Sequence, residues 1–234
     1  MSIFHFNQFS IQQTNSILKV GTDAMVLGSL VKTGNASHVL DIGAGTGVLA
    51  LMMAQMNSTA NVTAVEVDEL SAKDCKENFT NSPWNHRLEI IVKDILEFEA
   101  DNHFDLIICN PPFYSNSLSN ENKRLASAKH AVHLPFDLLF QKIASLLSEN
   151  GKYWMILPFQ DKQLVSDLAE KSGLFPEIDY SVNGKPNQPV RTVFCFSHLK
   201  STSIESHEIT IRNHDNSYTE AYKKLTVDFH GVKL

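Results

Sequence analysis

Residues 39–54, VLDIGAGTGVLALMMA, limit what this chain can fold into more than any other stretch. A β-branched apolar run carries one carboxylate, Asp41, and leads into glycines at alternate positions, Gly43, Gly45 and Gly47, followed by an apolar stretch of helical length. The pattern is a buried strand, a tight turn and a helix N-terminus, in which glycine lets backbone approach a ligand where a Cβ would intrude. Val48 stands where a dinucleotide-binding GxGxxG turn requires its third glycine, which disfavours a pyrophosphate cofactor. Asp41 beside the turn agrees, because a carboxylate suits a cationic ligand better than an anionic one.

From Val39 onward, short β-branched runs alternate with helical patterns, as expected for an α/β chain with parallel strands and helices on both faces. Strands are expected at 37–42, 62–67, 88–92, 104–109 and 152–158, and helices at 47–57, 69–80, 134–149 and 160–172. Two further strands, near 175–182 and 190–199, follow with only the turn-rich NGKPNQP between them and should pair antiparallel. HEITIRN alternates like one more strand, and SYTEAYKKLTVDF reads as a closing helix. At the other end, Thr22 or Asp23 can cap a helix over AMVLGSLV that ends around Thr33-Gly34, so residues 1–36 are expected to be a helical addition.

Length and patterning favour a single domain over 1–234, with the core at 37–200 and a closing strand and helix at 201–234. No apolar run approaches the ~18 residues that span a bilayer, and the first residues carry no basic-then-apolar leader, so a soluble, cytoplasmic protein is expected. Cys75, Cys109 and Cys195 form no CxxC pair and read as reduced thiols, and the histidines show no zinc-type spacing, so no metal is expected. A net charge of −6 argues against a broadly basic nucleic-acid-coating face. Any RNA contact must therefore be local, with Lys123, Arg124 and Lys129, together with His130 and His133, as one candidate patch and Lys223 with Lys224 as another.

Further carboxylates follow at successive strand ends. Glu66 falls about twenty residues beyond the glycine turn, where it can accept both hydroxyls of a ribose. Asp94 can accept from an adenine amino group, with Val67 or Ile95 as an apolar wall against the ring. Singly, such residues, Asp68 included, also serve as helix N-caps. The DIGAGTG turn, Glu66 and Asp94 together resemble, in order and spacing, the motifs of class I methyltransferases over residues 37–158. That resemblance implies S-adenosylmethionine as cofactor and a Rossmann-like, seven-stranded, mainly parallel sheet with one antiparallel strand.

Strand four, FDLIICN, runs into Asn110-Pro111-Pro112-Phe113. An exocyclic amino group has its lone pair delocalised into the ring and must be oriented toward the methyl donor. The Asn110 side-chain oxygen and the Pro111 carbonyl can each accept one of its N–H groups, Phe113 can stack on the base, and the two prolines stiffen the turn. The tetrapeptide resembles the motif of amino methyltransferases acting on adenine N6, guanine N2, cytosine N4 or glutamine amides.

FNQFSIQQTNSILKVGTDAMVLGSL at 6–30, ENKRLASAKHAVHLPF at 121–136 and YTEAYKKLTVDFH at 218–230 resemble the bacterial tRNA1(Val) (adenine(37)-N6)-methyltransferase family across nearly the whole chain. The resemblance implies methylation of adenine 37 in a valine tRNA and a KVGTDA segment lying over the cofactor, with Thr22 and Asp23 as candidate contacts. Lys129 stands where that family often has arginine, and DFHGVKL lacks its usual aromatic after DF, which bears on the RNA contacts. The alternatives are methylation of guanine N2 in ribosomal RNA or of glutamine N5 in a release factor, and a non-catalytic module that binds S-adenosylmethionine or RNA.

Overall fold

The computed structural model describes residues 3–16, 19–111 and 135–230. A two-stranded antiparallel ribbon, β1 (Ile3–His5) and β2 (Ser10–Gln12), opens the chain and is followed by α1 (Thr22–Leu30). Then come β3 (His38–Ile42), α2 (Val48–Met56), β4 (Asn61–Glu66), α3 (Glu69–Thr80), β5 (Leu88–Val92) and β6 (Phe104–Cys109). After the undescribed stretch lie α4 (Phe136–Leu146), β7 (Leu147–Pro158), α5 (Lys162–Lys171), β8 (Phe175–Lys185), β9 (Gln188–Ser197), β10 (Glu205–Thr210) and α6 (Glu220–Thr226). Among the described residues no helix is long and apolar enough to cross a membrane.

The main sheet has the order β10-β8-β9-β7-β6-β3-β4-β5. Every pairing is parallel except the two that β9 makes, with β7 and β8, so β9 alone runs against the others. This is the expected mainly parallel sheet with one antiparallel strand, but with eight strands in place of seven, because β10 adds to the free edge of β8. From β3 the chain steps outward through β4 to β5, then returns to lay β6 on the other side of β3. That reversal makes the crevice at the carboxyl ends of β3 and β6 the topological switch point, where open α/β sheets bind ligands.

Strand side chains alternate between two apolar layers. Val39, Val62, Ala64, Leu106, Ile108, Trp154 and Ile156 face α1 and α2, whereas Leu40, Ile42, Val65, Ile107, Cys109, Met155 and Leu157 face α4 and α5. Central strands buried on both faces therefore read as continuous apolar runs.

The N-terminal expectation is corrected: 1–36 is not all helical. Phe6 and Phe9 stack at 4.3 Å, and Phe9 meets Trp84 edge-on at 5.8 Å, so aromatic packing turns these residues into a ribbon. Neither Thr22 nor Asp23 caps α1. Gly21 is its N-cap without a side-chain bond, and the Asp23 carboxylate instead accepts from Arg191 Nε at 3.0 Å. The helix stops at Leu30, short of Thr33-Gly34, because Val31 turns to extended backbone. Likewise α4 gives way directly to β7 at Leu147, earlier than the strand start expected at 152.

What holds the ribbon and the following loop to the sheet domain is α3. Asp74, 0% exposed, accepts from Asn15 N and Nδ2 and from Ser16 N and Oγ, each at 2.8 Å. Burial alone acts to raise its carboxyl pKa, but the Ser16 and Asn15 hydrogen bonds outweigh it and hold Asp74 below its ordinary value of 3.8. The stabilisation is thus present above that value and lost as pH falls through the lower folded one. Asp74→Asn should destabilise the protein by about 2–3 kcal/mol at neutral pH, since hydrogen bonds to a charged group are the strong ones. Denaturant melts of both proteins should show that gap closing below about pH 4; a gap independent of pH would contradict the charged clamp.

Candidate functional site

The register of the parallel strands sets the floor of the site. Ile42 of β3 pairs with Val65 of β4 and with Cys109 of β6, and Glu66 pairs with Val92 of β5. Gly43, Glu66, Val92 and Asn110 therefore lie in one row at the carboxyl edge.

The glycine turn is hung from β4. Gly43 N and Ala44 N both donate to Val65 O, at 2.8 and 3.2 Å, and Gly45 N donates to Glu66 Oε2 at 2.8 Å. All three glycines have left-handed backbone, with φ of 68°, 56° and 78°, which L side chains resist. Among the described residues, no atom lies within 4 Å of where a Cβ at Gly43 or Gly45 would stand. Gly47 has a second reason for lacking a side chain: a Cβ there would lie 2.6 Å from Phe79 and 2.7 Å from Cys75. Its requirement comes from packing α2 against α3, and the ligand-facing side of the turn belongs to the other two.

Asp41 lies beneath this turn. It is 0% exposed, its Oδ2 accepts from Ala50 N in the first turn of α2 at 3.0 Å, and its Oδ1 is buried with no partner among the described residues. Burial, tempered by the Ala50 N–H and reinforced by the nearby Glu66 charge, pushes its carboxyl up to about 7. Asp41 thus acts on the crevice through its field and through the placement of α2. Glu66 lines the crevice with Oε1 accepting from Asp68 N at 2.9 Å, and burial raises its pKa while those backbone N–H groups pull it down. Each carboxylate oxygen keeps a further lone pair for a ligand hydroxyl.

Just past the end of β5, Asp94 is exposed and its Oδ1 accepts from Leu96 N at 2.9 Å, while Ile95 is buried. Val67 is 44% exposed and can face a ring. Asp68 behaves as a helix cap, accepting from Ser71 N at 2.8 Å at the start of α3. Thr22 is exposed on α1, and no hydrogen bond among the described residues ties it to the glycine turn. Asn110 is half-buried and Pro111 buried at the end of β6. Pro112, Phe113, Lys123, Arg124 and Lys129, with His130 and His133, lie outside the described residues. Of the other basic pair, Lys223 is bound to Glu220 at 3.0 Å and Lys224 is exposed.

Asn78 of α3 is a site residue that sequence reasoning passed over. Its Nδ2 donates to Thr46 O in the glycine turn and to Gln12 O in β2, both at 2.9 Å, while its Oδ1 accepts from Gln12 N at 2.7 Å. The available signal was polarity on the wrong face, since Asp74 and Asn78 occupy the same buried side of α3 as Cys75 and Phe79. The cysteines are buried and free, and burial pushes the Cys195 thiol up to about 12 and raises those of Cys75 and Cys109. Among the described residues no cluster of histidine, cysteine or carboxylate side chains could hold a metal.

The fold is shared with solved methyltransferases. A protein of Agrobacterium tumefaciens predicted to be an O-methyltransferase superposes with a TM-score of 0.67 over 88% of this chain and 96% of its own, at 18% identity. A methyltransferase of Streptomyces caelestis matches at 0.57 over 76% and 90% of the two chains, at 11% identity. The model of the methyltransferase small domain matches residues 14–163. Proteins of Pedobacter heparinus and Flavobacterium psychrophilum, each named tRNA1(Val) (adenine(37)-N6)-methyltransferase, are 35% and 36% identical to this chain. They cover 97% of it in both cases, and the alignments span 97% and 99% of their own lengths. A Vibrio vulnificus protein of the same name is 34% identical over 97% of this chain and 95% of its own. With its glycine turn, its strand-end carboxylates and its Asn-Pro edge in one row, and with relatives matched end to end, the chain belongs to the tRNA1(Val) (adenine(37)-N6)-methyltransferase family.

Proposed function

We propose that this protein transfers a methyl group from S-adenosylmethionine to N6 of adenine 37 in a valine tRNA, acting as one catalytic domain in the cytoplasm. The observation that carries this reading is the alignment of Asn110-Pro111 with Gly43 across the β3–β6 pair, which sets an amino-group acceptor beside an open ligand turn.

When bound, S-adenosylmethionine supplies an electrophilic methyl on a sulfonium. The protein's residues do the rest. Gly43 and Gly45 admit the ligand against bare backbone, Glu66 accepts the ribose hydroxyls, and Asp94 accepts from the adenine amino group with Val67 and Ile95 against the ring. Asn110 Oδ1 and Pro111 O accept the two N–H groups of the target amine, so that its lone pair is aimed at the methyl. Pro112 keeps the turn stiff, and Phe113 stacks on the base, a contact worth about 1–3 kcal/mol. The cofactor would supply the methyl, leaving the electron pair of its S–C bond on sulfur, and the target amine held by Asn110 and Pro111, acidified on forming the N–C bond, would lose its proton to water. Lys123, Arg124 and Lys129 contribute phosphate contacts that weaken with salt.

Transfer of labelled methyl to unmodified valine tRNA, total RNA and a release factor in parallel, with nucleoside analysis, tests the reading. N6-methyladenosine from the tRNA is expected. Label in guanosine or in protein would overturn the substrate, and cofactor binding without any transfer would point to a binding module.

Asn110→Ala should lower kcat by at least about 100-fold while changing cofactor affinity less than twofold, because its acceptor acts on the transition state. Glu66→Gln should weaken cofactor binding at least about tenfold, the scale of a hydrogen bond to a charged group. Calorimetry beside kinetics separates the two, and equal loss of binding in both variants would contradict the roles.

The buried Asp41 carboxyl, pushed up to about 7, predicts a pH effect. Its ionised form is the one that attracts a cationic ligand, so binding releases a proton and affinity rises as pH rises through about 7, then levels off. Asp41→Asn should flatten that rise. Calorimetric titrations between pH 5.5 and 8.5 would show it, and a wild-type affinity independent of pH would rule the linkage out.

A further inference from the structure

The β8–β9 hairpin climbs past the floor of the site. Cys109 of β6 lies opposite Met155, and Ile156 lies opposite Val193, so Val193 is level with Asn110. From there β9 extends back to Gln188, roughly 16 Å at about 3.3 Å per residue. β7 ends at Pro158, opposite Arg191, and beyond that point the ribbon stands clear of it. On its outer side the chain after β10 follows it upward: Ile211 N donates to Asn183 O at 2.9 Å and Arg212 N to Gly184 O at 3.1 Å. The tip is a two-residue turn, Pro186-Asn187, closed by Lys185 opposite Gln188, with Asn187 at φ 59°. Proline followed by a left-handed Asn suits a type II turn, so the arm is a stiff, hydrogen-bonded structure.

Its chemistry differs from that of the chain around it. The protein has 26 acidic and 20 basic side chains, yet no Asp or Glu occurs between Asp179 and Glu205. Lys185 stands beside the tip, flanked by the exposed amides of Asn187 and Gln188, and the arm's one large exposed hydrophobic is Val190. Arg212, whose backbone is tied to Gly184, has its guanidinium 4.1 Å over the Tyr218 ring and donates to Tyr218 Oη at 3.0 Å and Asn216 O at 2.6 Å, which holds it in place. The nearby Asp215 carboxylate is engaged by Ser217 N and Oγ at 2.9 and 2.6 Å. At the root, Arg191 is tied to Asp23 of α1. Lysine, a stacked arginine and neutral amides are the groups that bind phosphate and sugar, and so little apolar surface suits neither a hydrophobic peptide nor a second copy of the chain. Counting strand spacings sideways from β6, the two strands of the arm stand about 10 and 14 Å and the β10 side, with Arg212, about 19 Å from the Asn110 strand, the reach of a few nucleotides.

We infer that the β8–β9 arm and Arg212 form an RNA-docking wall that grips the backbone flanking the target base. This rests on the RNA-methylating reading above and assigns to it a second surface, distinct from the 123–129 segment.

The test compares wild type with Lys185→Glu, Arg212→Gln and the double variant, using unmodified valine tRNA. Kinetics over a salt series are measured alongside S-adenosylmethionine affinity and melting temperature. The double variant should raise KM for tRNA at least about tenfold, leave kcat within about twofold and cofactor affinity unchanged, and flatten the slope of log affinity on log salt by about 1–2. Lys185→Glu, at a tip position outside the packed core, should show the KM effect without a change in melting temperature. An unchanged KM and salt slope in the variants, with wild type methylating the tRNA, would overturn the wall alone. Wild type that neither binds nor methylates tRNA, or that labels a release factor instead, would overturn the wall together with the functional reading.

Discussion

The attachment of the glycine turn to β4 is the constraint on which the rest depends. Gly43 N and Ala44 N both end on Val65 O, and Gly45 N ends on the Glu66 carboxylate, so one strand end supplies the anchors for a loop belonging to its neighbour. Parallel pairing makes this possible, because it brings the two strands to the same edge with their ends level. Once the turn is fixed, α2 starts in one direction only, and its Ala50 N–H meets Asp41 below. A carboxylate that builds the loop can also accept ligand hydroxyls, so structural and ligand-binding duties converge on Glu66. Its burial beside Asp41 has an electrostatic cost, visible in the raised pKa values of both, and a cationic ligand would offset it.

Around that anchor, successive layers of the molecule are locked by polar groups placed where apolar ones would be expected. Asn78 reaches both the turn and β2, and Asp74 takes every donor that Asn15 and Ser16 offer to it. Hydrogen bonds to a buried charge are directional, and they set the path of a loop in a way that apolar packing cannot. The ribbon, the turn and α3 therefore form one connected unit over one side of the crevice, while Arg191 and Asp23 connect the opposite wall to α1.

The central strands and their carboxyl-edge residues were legible because the signals are local. A β-branched run, a glycine turn and a helical period each occupy a short window, and the register then follows from parallel pairing. The residues at 3–12 were not, since each strand of that ribbon is only three residues long and is held by Phe9 against Trp84 and by Asn78, both far away in sequence. Asp23 illustrates the same limit: locally it is a fine helix cap, but a guanidinium 168 residues distant claims it. The added strand β10 was visible as alternation in HEITIRN, whereas its place on the edge of β8 could not be read from alternation alone. The place of Asp41 just before the turn is plain in the sequence, but its hydrogen bond to the start of α2 depends on which face of β3 it occupies.

The ribbon is also closed from the far end of the sequence. Asn7 N donates to Phe229 O at 3.1 Å, Asn7 Nδ2 donates to Val227 O at 3.1 Å, and Phe6 pairs with His230. Contacts between residues separated by 220 positions close a long loop and form late relative to local ones. On the ribosome, the parallel sheet can assemble while Phe6 and Asn7 still wait for residues 227–230. Trp84 and Asn78 can hold Phe9 and β2 once α3 has formed, whereas Phe6 and Asn7 stay without these partners until residues 227–230 are made, so the ribbon becomes native in two stages and its unfinished edge is open to aggregation and to chaperones in between.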